Sequence, residues 1–356
     1  MRHDVEELAR FPNENSIRID VELVRKLAPE SLVVTEFKEE IAKRVFERLY
    51  RFPTIGKWLD GDAVEFSREF SASDDDFRFN REEDGFPIYE GKMIEQFNSY
   101  FDKPSRWISK AELKKTHFLD RGDWQHYRFA IRRVASITNQ RSLIASVLPK
   151  ECLTVHSLFV NINNMLSGID TLYLVAFFNS FILDFVIRNQ ATANVTQFLI
   201  HQLPVPRLTV GDKYFAEIVE RAAKLICTTP EFDDLAKEVG LGSHKNGVRD
   251  DKKRTKLRAE LDGMIAHLYG LTEQEFVYIL TTFPIIAQYV KDAALETYRE
   301  LAPKSDQQEI GALINAGENA KVELKSSLRW DVKENRVNKA LEQVVVKTMK
   351  EEEIAK

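Results

Sequence analysis

The segment LYLVAFFNSFILDFVI, Leu172 to Ile187, is interrupted only by Asn179, Ser180 and Asp184, and it constrains this chain more than any other stretch. An apolar run of this kind presents no polar stripe at the helical period, so residues 170–190 predict a helix buried on every side, not an amphipathic surface helix. The run is too short for a bilayer span and carries interior Asn and Asp, so it reads as the spine of a core. Asn179 and Ser180 are then expected to satisfy buried hydrogen bonds. A chain of 356 residues with 44% hydrophobic content can bury such a spine, and its length predicts two or three domains.

Around that spine the sequence alternates between strand and helix signals. Asp20 to Leu27 allows one helix, and Thr35 to Phe52 predicts an amphipathic helix through Phe37, Ile41, Val45, Phe46 and Leu49, with Thr35 as its N-cap. Ala63 to Phe79 reads as a strand entering an acidic loop. Its three aspartates, Asp74, Asp75 and Asp76, suit a solvated turn better than a metal cage, which needs geometrically spaced ligands. Alternation in YRFAIRRVA (Tyr127 to Ala135) predicts a half-buried strand with Arg128 opposite Phe129 and Arg132 opposite Arg133. Thr138, Asn139, Gln140 and Arg141 follow as a polar turn, and RSLIASVLP as a second strand. FLIHQLPVPRL (Phe198 to Leu208) suits a strand leaving the domain. From Tyr214 onward the pattern is helical, with Gly270 as a stop, Thr272 as the next cap and Glu275 at the capping-box position. The fold class is α+β: a mixed domain with a buried central helix, then a helical bundle, then a partial α/β segment.

Charge is distributed unevenly. The net charge is -5, yet residues 1–102 carry 15 Lys and Arg against 24 Asp and Glu, whereas residues 103–150 carry 11 against 3. A second basic run, HKNGVRDDKKRTKLR (His244 to Arg258), has 7 against 2. Such runs either neutralise phosphates or form solvated faces. Cys152 and Cys227, the only cysteines, sit in apolar contexts; they exclude a Cys-based zinc site and fit a reduced compartment. His156 and His201 have no ligand-spaced neighbours and read as structural. The start, MRHDVEELARF, lacks the apolar stretch of a signal peptide, so a cytoplasmic protein without membrane association is expected.

Several separated motifs recur in one order: FPNENSIRIDVELVRKLAPESL (Phe11 to Leu32), FERLYRFPTIGKW (Phe46 to Trp58), PIYEGKMIEQF (Pro87 to Phe97), the basic hairpin, the apolar helix, the Pro-flanked exit and KLRAELDGMIAHLYGLTEQEFVYILTTFPII (Lys256 to Ile286). Together they resemble the C-terminal target-recognition region of type IIG, type ISP and BREX-like bacterial adenine-N6 DNA methyltransferases of restriction–modification and phage defence. That resemblance implies a linking region at 1–84, a recognition domain at 85–210, a helical spacer or docking region at 211–300, and a linker with a further segment at 301–356. Within the last, ENAKVELKSSLRWDVKENRVNKALEQVVVKTM (Glu318 to Met349) resembles the opening of a Schlafen-AlbA-like DNA-binding domain without its continuation.

The enzymes of this family carry a Gly-rich S-adenosylmethionine loop and an Asn- or Asp-Pro-Pro-Tyr tetrapeptide that holds the flipped adenine. This chain has no Pro-Pro pair, and its 14 glycines are scattered. The resemblance therefore implies a recognition half that is not catalytic alone. It needs no cofactor itself and works with duplex DNA and a methyltransferase domain or subunit, for which S-adenosylmethionine is implied. Arg pairs with guanine and Asn or Gln with adenine in the major groove, which makes Arg128, Arg132, Arg133, Asn139 and Arg141 candidate contacts, with Lys114 and Lys115. Alternatively, Asn139 and Arg141 hold the hairpin together by bonding to backbone. The resemblance places Tyr89, Glu90 and Lys92 at a DNA entrance or methyltransferase interface; the same segment also reads as a corner packed by Tyr89, Met93 and Phe97. A non-catalytic interaction or regulatory protein, or an inert fragment, is the alternative to a recognition module.

Overall fold

The chain folds as an α+β protein. The computed structural model describes residues 16–27, 34–134, 139–190 and 194–302, all within one compact unit, Met1–Ala302. Thr138, the Schlafen-AlbA-like segment and the residues before Ser16 lie outside the described residues.

Helices α1 (Val21–Leu27) and α2 (Glu40–Leu49) come first. The chain then passes through β1 (Phe66–Ser67), β2 (Phe86–Tyr89), β3 (Trp107–Ile108), and the single turns α3 (Lys110–Leu113) and α4 (Phe118–Arg121). Strands β4 (Arg128–Arg132), β5 (Ala145–Leu148), β6 (Leu153–Thr154) and β7 (Leu158–Asn161) follow. Helices complete the unit: α5 (Gly168–Phe178), α6 (Phe181–Gln190), α7 (Gln197–Gln202), α8 (Phe215–Ile226), α9 (Asp233–Glu238), α10 (Asp251–Leu268), α11 (Glu273–Thr281) and α12 (Gln288–Leu301).

The basic strand and its successor form the expected hairpin, in antiparallel register from Arg128 opposite Leu148 to Ile131 opposite Ala145. They belong to a four-stranded antiparallel sheet ordered β1-β7-β4-β5, while β3-β2-β6 forms a second sheet in which β2 and β6 are parallel. Alternation along β4 is real, but both of its faces are covered. Phe129 and Ile131 face the main core, where Phe129 meets Phe178 of α5 edge-on at 4.9 Å; Ala130 packs with Leu158, Val160, Tyr89 and Met93 on the other face. The strand is therefore interior and not half-buried, and its arginines must find partners inside the protein.

The apolar stretch is the spine of the main core, with Leu172 to Phe178 and Phe181 to Ile187 almost wholly buried. At about 1.5–3 kcal/mol per buried large side chain, these residues supply a major share of the hydrophobic driving force. The expected single helix is, however, two helices bent by 64° at Asn179 and Ser180. The Ser180 hydroxyl donates to Phe177 O at 2.7 Å and accepts Leu183 N–H at 3.3 Å, so the break is stabilised locally. No single described helix is long and apolar enough to cross a membrane.

Three further local expectations change. Helix α2 starts after Glu39, in extended geometry, and not at Thr35. The strand expected to enter the acidic loop of residues 63–79 is only the two-residue β1, and the loop is a turn, as read, but one held by ion pairs: Asp75 and Asp76 accept from Ser71 N, Arg78, Arg81 and Arg106. The expected exit strand begins as helix α7, capped by Thr196, before Pro204 bridges to Thr54. The cap at Thr272 forms as read: its hydroxyl accepts Glu275 N–H at 3.2 Å, and the Glu275 carboxylate accepts Thr272 N–H at 2.8 Å. Glu275 also pairs with Arg48 at 2.9 Å, tying α11 to α2.

Candidate nucleic-acid interface

Arg128 is a strut and not a surface contact. It is 1% exposed, and its guanidinium donates to Glu69 Oε1 and to Cys152 O, both at 2.7 Å. The other Glu69 oxygen accepts from Thr154 N (2.7 Å) and Thr154 Oγ1 (2.8 Å). An ion pair this deep pays heavily in desolvation, and it persists because the carboxylate and most of the guanidinium are matched by local partners. The reading of Arg128 as a DNA contact is thus corrected: on the face of β4 opposite Phe129, its guanidinium is enclosed by Glu69 and Cys152 and is not presented to a duplex.

Arg141 is corrected for the same reason. Its guanidinium lies over the Phe181 ring at 4.3 Å and donates to Asn179 O; its Nε stands 2.8 Å from Asp184 Oδ2, at ion-pair distance but off the hydrogen-bond direction. Asp184 also accepts Ser142 N–H at 3.1 Å and receives Arg188 at 3.3 Å. Burial raises the Asp184 pKa, and the Arg141 and Arg188 guanidiniums oppose that rise. Arg141 therefore bonds to backbone, as the alternative reading of the turn supposed, although the carbonyl it uses lies across the fold at the end of α5.

The remaining candidates reach the surface to different degrees. Arg132 donates through Nε to Gly91 O at 2.8 Å and through its other nitrogen to Ile94 O, with Glu95 3.8 Å away. Arg133, at the end of β4, keeps its backbone bonds to Ser157 and Val195, while its half-buried side chain has no partner among the described residues. Asn139 and Gln140 are exposed and accept Arg188 through their carbonyls at 2.7 and 2.9 Å. Lys114 and Lys115 are exposed in the turn that ends α3, and Lys115 is paired with Glu112.

For PIYEGKMIEQF the packing account fits Tyr89, Met93 and Phe97, each 2% exposed or less. Tyr89 is removed from any entrance by burial. Glu90 accepts Arg106 at 2.6 Å and lies 3.7 Å from Lys92, whose side chain is exposed. Gly91 is needed for close approach: a Cβ there would stand 3.1 Å from Ser157 O and 3.4 Å from the Arg132 side chain.

One relationship was not foreseeable from either basic run alone. Helix α10 carries the second run against the turn that follows Gly91, where Arg254 donates to Phe97 O at 3.3 Å across 157 residues of sequence. Gln96 Nε2 and Arg141 both donate to Asn179 O, so the turn is also clamped to the break between α5 and α6. The two basic runs, distant in sequence, meet at residues 94–98. No local pattern marks that meeting, because each run is indistinguishable from a solvated helix or strand face.

His156 and His201 have ordinary partners, Ala72 N–H at 3.2 Å and Val64 O at 3.1 Å. Among the described residues no group of three His, Cys, Asp or Glu is arranged to hold a metal ion.

No protein-family model matches the chain, and no curated protein matches it. Among solved structures, the chain is similar to the HsdS subunit from Thermoanaerobacter tengcongensis at 14% identity and a TM-score of 0.25, covering 65% of this chain and 51% of that one. The chain thus spans about half the length of that subunit, and an overlap of this extent carries no argument about function.

Proposed function

We propose that this chain is a double-stranded DNA recognition module of a restriction–modification or phage-defence adenine-N6 methyltransferase, without the catalytic domain. The observation that carries the reading is the meeting of the two basic runs at residues 94–98, beside a hairpin whose outer end presents Arg133, Asn139 and Gln140. The order of motifs supports the same class. In this account the cations position the duplex through phosphates, and Arg133 with the exposed turn reads base edges. Arg188, through the Asn139 and Gln140 carbonyls, and Arg141, through Asn179 O, hold that turn in place from within. S-adenosylmethionine and methyl transfer belong to a separate domain or subunit, docked on the helical part.

The test is selection of the purified chain on a random duplex library across a salt series, beside Arg133→Ala. An enriched motif that weakens in the variant and fades with salt supports the module. Absence of binding at low salt favours an interaction protein instead, a reading already favoured for part of the basic charge by the burial of Arg128 and Arg141.

A further inference from the structure

A cleft of about 450 Å³ is lined by Trp124, Gln125, Lys150, Glu151 and Glu231. Trp124 and Gln125 belong to the turn before β4, Lys150 and Glu151 follow β5, and Glu231 lies in the turn Pro230–Phe232 that leads into α9. The walls are tied to one another. Glu151 N–H donates to Trp124 O at 2.7 Å, the Tyr127 hydroxyl donates to Glu231 O at 2.7 Å, and the Tyr127 ring stacks on Phe232 at 5.7 Å.

The charges of the cleft are not balanced. Lys150 pairs with Asp234 at 2.9 Å and lies over the Tyr127 ring at 4.8 Å, so its charge is already matched. Glu151 and Glu231 are exposed, and neither carboxylate has an ion-pair partner among the described residues. Glu151 has a φ of 60°, a left-handed backbone that a residue with a Cβ rarely adopts and that marks places where a side chain's direction matters. Trp124 is 7% exposed, and its indole N–H has no hydrogen-bond partner, which leaves an unmet donor in the wall of the cleft.

We propose that this cleft takes an arginine side chain of a partner protein, its guanidinium shared between the Glu151 and Glu231 carboxylates beside the Trp124 indole. A guanidinium is a planar fork with several donors, so it can serve two carboxylates at once, and its delocalised charge is favoured beside an aromatic ring. DNA is the wrong occupant, because the unpaired groups are carboxylates and repel a phosphate backbone. A free amino acid is disfavoured too: its own carboxylate would meet Glu151 and Glu231 while Lys150 is taken up by Asp234. The site needs no duplex and stands apart from the DNA-recognition reading.

The test is nuclear magnetic resonance of the indole N–H groups of the full chain, with Trp124 assigned through Trp124→Phe, during titration with the end-capped tripeptide Gly-Arg-Gly. The Trp124 signal is expected to shift and saturate at about millimolar peptide. Glu151→Gln and Glu231→Gln should each weaken binding about threefold, and the double variant about tenfold. Glu151→Gly relieves the left-handed backbone, so it should raise the melting temperature while weakening the peptide as Glu151→Gln does, a combination that misfolding cannot produce. No shift, an equal shift with citrulline in place of arginine, or affinity unchanged in the double variant overturns the site. Tighter binding of free arginine than of the tripeptide overturns the protein partner in favour of a small molecule. A shift with adenosine and none with the tripeptide overturns it in favour of a nucleobase.

Discussion

The side-chain amide of Asn179 bonds both backbone groups of Ala145, accepting its N–H at 3.0 Å and donating to its carbonyl at 2.8 Å. Ala145 begins β5, an edge strand of its sheet, and its outward N–H would otherwise be buried without a partner, whereas its C=O also accepts Phe97 N–H at 3.2 Å. Asn179 is also the residue that ends α5. One carboxamide therefore seals a sheet edge and marks the place where the apolar spine bends.

Asn179→Ala is expected to destabilise the unit by about 2–3 kcal/mol, chiefly through the orphaned Ala145 N–H, since Phe97 N–H still reaches the Ala145 carbonyl at 3.2 Å. A urea midpoint unchanged from the native chain would refute this account of the bend.

Removal of Arg128 strands the Glu69 carboxylate in the interior. Arg128→Met is expected to cost about 3–5 kcal/mol, and the double variant with Glu69→Leu to recover much of that loss, because two apolar side chains leave little buried charge. Equilibrium unfolding of the two single variants and the double variant measures this coupling. A stable Arg128→Met that instead loses duplex binding would return the residue to the DNA surface.

Arg133 and Arg141 should separate cleanly. Arg133→Ala removes a side chain without a described partner, so its melting temperature should stay within a degree or two of native while duplex affinity falls. Arg141→Ala leaves Asp184 with Arg188 alone and should cost about 2–4 kcal/mol of stability. Melting curves set beside binding isotherms distinguish the two; equal stability loss in both would show that Arg133 is structural.

Gly263 lets α10 and α12 approach closely. A Cβ there would lie 2.9 Å from Tyr298 N and 3.0 Å from Thr297 Cγ2. Gly263→Ala gains helix propensity, yet the backbone contact forces the helices apart, so a net loss of about 1–2 kcal/mol is expected in thermal unfolding. A stabilised variant would show that the helix pair has slack.

Much of the scaffold was legible because its signals are local. The hairpin register follows from alternation and the polar turn, and the Thr272–Glu275 cap from a three-residue spacing. What failed had distant causes. Arg128 and Arg141 carry no local mark of burial, because their carboxylates, Glu69 and Asp184, lie far away in sequence. Helix periodicity cannot show the break at Asn179, since the partner that rewards it is the edge of β5. Likewise, Tyr89 and Glu90 read equally well as surface or corner until Arg106 and the packing around Met93 decide between them.

Asp262 gives the fold a pH dependence of unusual sign for a carboxylate. It is buried, accepts Phe181 N–H at 2.8 Å at the start of α6, and burial pushes its pKa up to about 6, against the pull of Arg141. The folded state therefore holds its proton more tightly than the unfolded chain does. The associated stability is fully present below about pH 4 and is lost as pH rises towards 6, by up to about 3 kcal/mol. Asp184, raised in the same direction, adds to this trend, whereas exposed carboxylates with lowered pKa values, such as Asp76 and Asp233, act at more acidic pH. Asp262→Asn keeps an acceptor for Phe181 N–H without the charge, so unfolding midpoints between pH 4.5 and 7 should flatten relative to the native chain. An identical slope in both would place the titration elsewhere.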